Sequence, residues 1–207
     1  MRAVGRAGVD ARALLRSLSV LAVGALAVEA GSRLIAARFA DAPVAPDLVL
    51  RVLPYSRDVL YVTGAAVFLA LAVFAYYILR YAPDQLPEYV AIFGIMYLLR
   101  AATMVLTPLA NARGDGPAAF AFFQYGMFPS GHTAATLLFA WLTDAERAPN
   151  LRRLQYALLA VVIVALLVSR GHYSVDIVGG ALVAYFVHRE WTRGSLLDPV
   201  KRYVRGA

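Results

Sequence analysis

Phe128-Pro129-Ser130-Gly131-His132-Thr133 stands directly ahead of an apolar helical run, and the rest of the chain makes sense around it. Pro129 disfavours helix at the residue before it, and Ser130 is a favoured helix N-cap. Gly131 lets the backbone come close to whatever docks there. This helix start offers free N–H groups, a hydroxyl and an imidazole at the positive end of the dipole, a set suited to phosphate. Further on, Ser169-Arg170-Gly171-His172-Tyr173-Ser174-Val175-Asp176 stands at the head of another apolar run. Two histidines, an arginine and an aspartate thus occupy matching positions of two helices.

Of the 207 residues, 61% are hydrophobic and 16% charged. Soluble domains carry about 45–50% and about 25%, so the chain reads as an integral membrane protein. It contains no cysteine, which excludes disulfides and thiolate metal sites. The net charge of +7 does not point to nucleic acid. Of the 20 basic residues all but Lys201 are arginine, and most flank apolar runs, which is how topology signals are placed.

Residues 1–13 form a basic lead-in with Arg2, Arg6 and Arg12. The first expected span is 14–35, near the ~20 residues a bilayer requires. Glu29 and Arg33 lie i,i+4 within it and can pair on one face. A cleavable signal peptide is the rival reading, with Val28-Glu29-Ala30 as a loose cleavage site. Residues 39–58 read as a polar connection bearing Pro43, Pro46 and Pro54. Further spans are expected at 59–79, 89–109, 131–143, 154–168 and 174–188. Residues 14–191 then form one six-helix membrane catalytic domain, an all-α bundle, followed by a basic tail at 192–207.

With the N-terminus inside, thirteen arginines and lysines fall on inner segments. Only Arg38, Arg51, Arg57, Arg113 and Arg170 fall outside. The asymmetry predicts both termini in the cytoplasm. His132 and the His172/Asp176 pair then share the exofacial side of the inner membrane. Six retained helices are needed for this agreement, which weakens the signal-peptide reading.

His172 and Asp176 are i,i+4 and stack one turn apart. A carboxylate beside an imidazole fixes its tautomer and stabilises the imidazolium, and a histidine so held can attack phosphorus. His132 is the natural general acid for the departing alkoxide. Arg170 and Arg100 are candidates to bind phosphoryl oxygens through forked, charge-assisted hydrogen bonds, together with Ser130 and Gly131. Arg100 sits in an otherwise apolar run with nothing in its own helix to neutralise it. The competing reading is a structural ion pair with Asp176 or Asp58. His188, among Arg189, Glu190 and Trp191, reads as an ordinary helix-end residue. The aromatics of 120–128 form either an interfacial belt or a wall for a quaternary ammonium. Three histidines without paired metal-ligand spacing predict no metal site.

These motifs resemble those of the type 2 phosphatidic acid phosphatase superfamily, and within it the sphingomyelin synthase branch. Pro129-Ser130-Gly131-His132 is similar to the second superfamily motif, and Ser169-Arg170 with His172 and Asp176 to the third. The stretch 97–107 with Arg100 and Thr103 is similar to the synthases' arginine-threonine motif, 126–133 to their Ser-Gly-His-Thr motif, and His172-Tyr173-Ser174-Val175-Asp176 to their His-Tyr-Thr-hydrophobic-Asp motif. The resemblance runs from about residue 53 to 191. It implies six helices, an exofacial site and no cofactor. A phospho-headgroup would pass from a membrane phospholipid through a phosphohistidine at His172, with Asp176 orienting it and His132 as acid/base. The acceptor is a lipid alcohol such as ceramide or diacylglycerol in the synthases, and water in the phosphatases. Tyr55, Asp58, Thr103, Tyr125, Phe128 and Tyr173 are weaker candidates for headgroup or lipid contact.

The resemblance is mixed. The phosphatases' lysine-rich first motif is absent and Arg100 stands in its place, as in the synthases. Pro129 before Ser-Gly-His is phosphatase-like, and Ser169-Arg170 is absent from the synthases. Tyr125-Gly126-Met127 replaces the synthases' Cys-Gly-Asp, so a carboxylate that could meet a cationic headgroup is missing. A non-catalytic lipid-binding or transport protein remains as a third reading. Against it, all three of His132, His172 and Asp176 are present.

Overall fold

A computed structural model describes residues 9–39, 42–110, 112 and 126–206. Every element among them is helical. The first helix, α1 (Ala11–Arg38), starts three residues earlier than expected because the Asp10 carboxylate accepts from Arg12 N and Ala13 N. Within it Arg33 Nε meets Glu29 Oε1 at 2.7 Å on the exposed face. The expected polar connection contains a short helix, α2 (Leu48–Val52), capped by Asp47. Then α3 (Val59–Tyr81) runs back, and a 3₁₀ turn at Pro83–Gln85 leads into α4 (Leu86–Met104). The expectation of helix to 109 is corrected here. Pro108 bars the residue before it from the α region, and the chain leaves the helix at Val105.

Three helices follow: α5 (Gly131–Leu142), α6 (Pro149–Val168) and α7 (Ser174–Thr192). Pro149 opens α6 at a first-turn position where its missing N–H is harmless. The tail folds as a further helix, α8 (Asp198–Arg205), closed by Gly206 at φ 75°.

Helices α1, α3 and α6 are long and apolar enough to cross a bilayer. Their outward side chains, among them Leu26, Phe68, Leu79 and Val164, are exposed, as suits contact with lipid rather than water. Helices α4, α5 and α7 do not meet that measure, and each carries part of the polar constellation. The 12 residues of α5 span only about 18 Å, against a hydrocarbon core of about 30 Å. Nine of its residues are buried: Thr133, Ala134, Ala135, Thr136, Leu137, Leu138, Phe139, Ala140 and Leu142. It is a central strut packed against α6, α7, α3 and α4.

Small residues set the closest approaches. A methyl added at Gly94 of α4 would lie 2.7 Å from Leu21 N of α1, and one at Gly24 would lie 2.4 Å from Gly94 O. At one end of the bundle Glu88 joins α4 to α7 through Trp191 Nε1 (3.1 Å) and to α8 through Arg205 Nη2 (2.8 Å). At the other end lie the starts of α5 and α7.

Candidate active site

The start of α5 is built as its sequence predicts. Ser130 has extended backbone and its hydroxyl accepts from Thr133 N at 3.3 Å and from Thr133 Oγ1 at 3.1 Å. Ser130 is fully buried. Its hydroxyl is therefore engaged as the helix cap, through its lone pairs. Among the described residues, the N–H groups of Gly131 and His132 at this helix start meet no acceptor. The Phe128–Pro129 bond is cis.

The start of α7 meets it directly. Ser130 N donates to Asp176 O at 2.9 Å. A methyl at Gly180 would lie 2.4 Å from Ser130 O, and one at Gly179 would lie 2.4 Å from the Phe128 ring. Only glycine lets the two helices approach this closely. Phe128, a weak candidate for lipid contact, is thus half-buried against α7.

Between these starts the two histidines come together, with ring centroids 5.9 Å apart and planes at 67°. His172 is buried and its Nδ1 lies 3.0 Å from Asp176 Oδ2. The same oxygen accepts from Tyr173 N at 2.9 Å. Asp176 is fully buried, and its Oδ1 has no hydrogen-bond partner among the described residues. A buried carboxylate at a helix N-terminus, with its acceptor capacity unfilled, favours a positive charge beside it. The tautomer in which Nδ1–H donates to Asp176 leaves the Nε2 lone pair of His172 without a hydrogen-bond partner among the described residues. His132 is exposed although protein crowds it, as expected of a side chain lining a recess.

Arg100 is buried but does not pair with a carboxylate among the described residues. Its Nη2 donates to Gly126 O at 2.9 Å and its Nε to Pro129 O at 3.1 Å. The expectation that Arg100 must find an anion missed these backbone carbonyls, which carry partial negative charge and are invisible to residue-type reading. The guanidinium also abuts Gly131, where a methyl would lie 3.1 Å from Nε. Arg100 therefore latches the 126–130 turn to α4 beside the open N–H groups of α5. Asp58 is exposed at the start of α3 and far from a role as its ion-pair partner.

Arg170 takes a left-handed conformation (φ 49°) where α6 ends. Its guanidinium stands over the exposed ring of Tyr55, 5.1 Å from the centroid, and Nη2 faces Leu50 O at 3.5 Å. The structure thus pairs Arg170 with Tyr55 and α2. The Thr103 hydroxyl folds back onto Leu99 O (2.8 Å) and Arg100 O (3.1 Å). Tyr173 is buried; its hydroxyl donates to Ala110 O and accepts from Ala45 N, both at 3.1 Å. It ties the segments around Ala45 and Ala110 together. Tyr125 and the aromatic loop up to it lie outside the described residues. At the far end of α7, the His188 ring lies 5.3 Å from that of Trp141.

The unforeseen participant is Asp47. Its position before Leu48-Val49-Leu50 marks a helix N-cap, but nothing in the sequence shows that it also reaches α7. Among the described residues no three His, Asp or Glu side chains gather as a metal site.

A family model described as the PAP2 superfamily matches residues 115–189. That range holds His132, His172 and Asp176 and stops short of Arg100. No curated protein matches the chain. The match supports a membrane lipid enzyme of the phosphatase or phosphotransferase type.

Proposed function

We propose that the chain is an integral-membrane lipid phosphotransferase, similar to the sphingomyelin synthases. In this reading it moves a phospho-headgroup from a phospholipid to a lipid alcohol such as ceramide or diacylglycerol. The observation that carries the reading is the pair of histidines 5.9 Å apart, one of them held by a buried aspartate. A reacting atom sits about 3–3.5 Å from its nucleophile, and a general acid lies about 3 Å from the atom it protonates. Rings this close can both reach one phosphoester, His172 at phosphorus and His132 at an oxygen bonded to it.

His172 Nε2 attacks phosphorus and forms the N–P bond as the P–O bond to the leaving alcohol breaks. His132 gives that oxygen its proton. The cationic phosphohistidine is stabilised by Asp176 through Nδ1–H. In the second half His132 takes the proton of the acceptor hydroxyl, whose oxygen attacks phosphorus and releases His172. The N–H groups of Gly131 and His132, with the guanidinium of Arg100 beside them, supply the positive field for the phosphoryl oxygens. Arg170 can join only by leaving Tyr55. No metal or cofactor is needed for this sequence of steps.

A second reading, a lipid phosphate phosphatase on phosphatidate or a polyprenyl phosphate, has water as acceptor. The PAP2 superfamily match and Pro129 favour it. Purified protein given labelled phospholipid, with and without ceramide or diacylglycerol, separates the two. Transfer predicts a labelled lipid product that rises with acceptor. Release of water-soluble phosphate or headgroup at a rate indifferent to acceptor sinks the transferase and leaves the phosphatase.

A further inference from the structure

The connection between α1 and α3 is fastened to the turn that carries His172. Asp47 is the centre of this fastening. Its Oδ1 accepts from Val49 N (2.9 Å) and Leu50 N (3.2 Å), capping α2. Its Oδ2 accepts from Ser174 N at 2.6 Å. Ser174 is the first residue of α7, two positions after His172. One carboxylate therefore serves two helix starts. Around it, Ala45 N holds the Tyr173 hydroxyl, and Ser56 N reaches Val168 O at 3.1 Å. Leu50, Ala112, Met127 and Tyr173 form a small apolar cluster beneath.

A helix start leaves several N–H groups in search of acceptors, and an acidic side chain in the first turn is the usual one to supply them. In α7 that side chain is Asp176. Left alone, Asp176 would divide its oxygens among the N–H groups of its own first turn, Ser174 N included. Here Ser174 N is already taken by Asp47. Asp176 Oδ2 is thereby kept for Tyr173 N and His172 Nδ1.

We propose that Asp47 is a positioning residue, which occupies the Ser174 N–H from outside α7 and so keeps Asp176 turned to His172. It touches no reacting atom. Its effect passes through Asp176, and it makes the geometry of the histidine–aspartate pair depend on the seating of α2. This rests on the reading of His172 as the nucleophile.

The test uses the full-length protein in detergent with the turnover assay above, comparing wild type, Asp47→Ala, Asp47→Asn and His172→Ala. Misplacing a reacting group by an ångström is worth about 100-fold. Asp47→Ala is expected to lower kcat by about 10- to 100-fold, with KM changed less than about two-fold, because substrate contacts are untouched. Asp47→Asn retains one oxygen for Ser174 N and is expected to restore most of kcat. Monodispersity and melting temperature are read on the same samples. The inference is overturned if well-folded Asp47→Ala keeps kcat within two-fold. It is equally overturned if kcat falls only in step with the folded fraction. Turnover by His172→Ala would instead sink the proposed function, whatever Asp47 does.

Discussion

A histidine becomes a nucleophile only when one nitrogen is held protonated and the other left open, and in this chain Asp176 is the residue that does the holding. Its loss should therefore be felt in the chemical step. Asp176→Asn keeps the shape but can present its amide N–H to Nδ1 and invert the tautomer, as in the serine protease triad, where the like change lowers kcat about 10⁴-fold. A fall of about 10²- to 10⁴-fold in kcat, with KM little changed, is expected in steady-state turnover. Arg100 illustrates the opposite case. Arg100→Lys cannot reach Gly126 O and Pro129 O together, so one buried carbonyl loses its partner, at about 1–3 kcal/mol. A lower melting temperature is expected, along with reduced turnover. The contrast explains what could be read in advance. The meeting of His132, His172 and Asp176 was legible because their types and spacing mark two polar helix starts and one i,i+4 pair. The partners of Arg100, the hydroxyl bonds of Tyr173 and the second bond of Asp47 were not, because they are made to backbone groups brought close only by the fold.

Among the elements, α5 and α7 depend on contact between backbones. Gly180→Ala would place a methyl 2.4 Å from Ser130 O, which can be relieved only by moving the start of α5 and His132 with it. Loss of both melting temperature and turnover is expected. Gly64→Ala in α3 meets nothing within 4 Å. It should be neutral or stabilising by up to about 1 kcal/mol, since alanine is the better helix former. Equal behaviour of the two variants in thermal unfolding would contradict the packing described. The cap on α2 brings a pH dependence. Burial pushes the Asp47 carboxyl up, but hydrogen bonds from the N–H groups of Ser174, Leu50 and Val49 outweigh it and hold the group below its ordinary range. Its contribution is thus complete above about pH 3.9, the unfolded value, and is lost as pH falls through the lower folded value. Asp47→Asn should flatten that acid limb in a pH series of melting temperatures. The helices α1, α3, α4, α5, α6 and α7 were legible from apolar runs punctuated by proline and arginine. The helix α2 was not, since five residues make no periodic pattern and only the Asp47 cap announces it.

At the scale of the whole molecule, α1, α3 and α6 are long and apolar enough to cross a bilayer, α5 is buried among its neighbours, and α7 packs on α4 and α5 while exposing Val175, Val178, Leu182 and Tyr185. The shortness of α5 is tolerable because α3, α4, α6 and α7 pack around it. The expected sidedness is open to a direct check, since the chain has no cysteine of its own. On intact cells a membrane-impermeant maleimide should label Arg57→Cys and reach Arg193→Cys only after permeabilisation; the reverse pattern would place the histidines on the cytoplasmic side. The central claim is covalent transfer through His172, and rapid-quench trapping tests it most directly. Wild-type protein mixed with phosphate-labelled lipid and quenched in base should carry label that is stable there, released by mild acid, and mapped to the peptide containing His172. His132→Ala should accumulate it or form it more slowly, and His172→Ala should show none. Full turnover by His172→Ala, or label that maps elsewhere, would contradict the account.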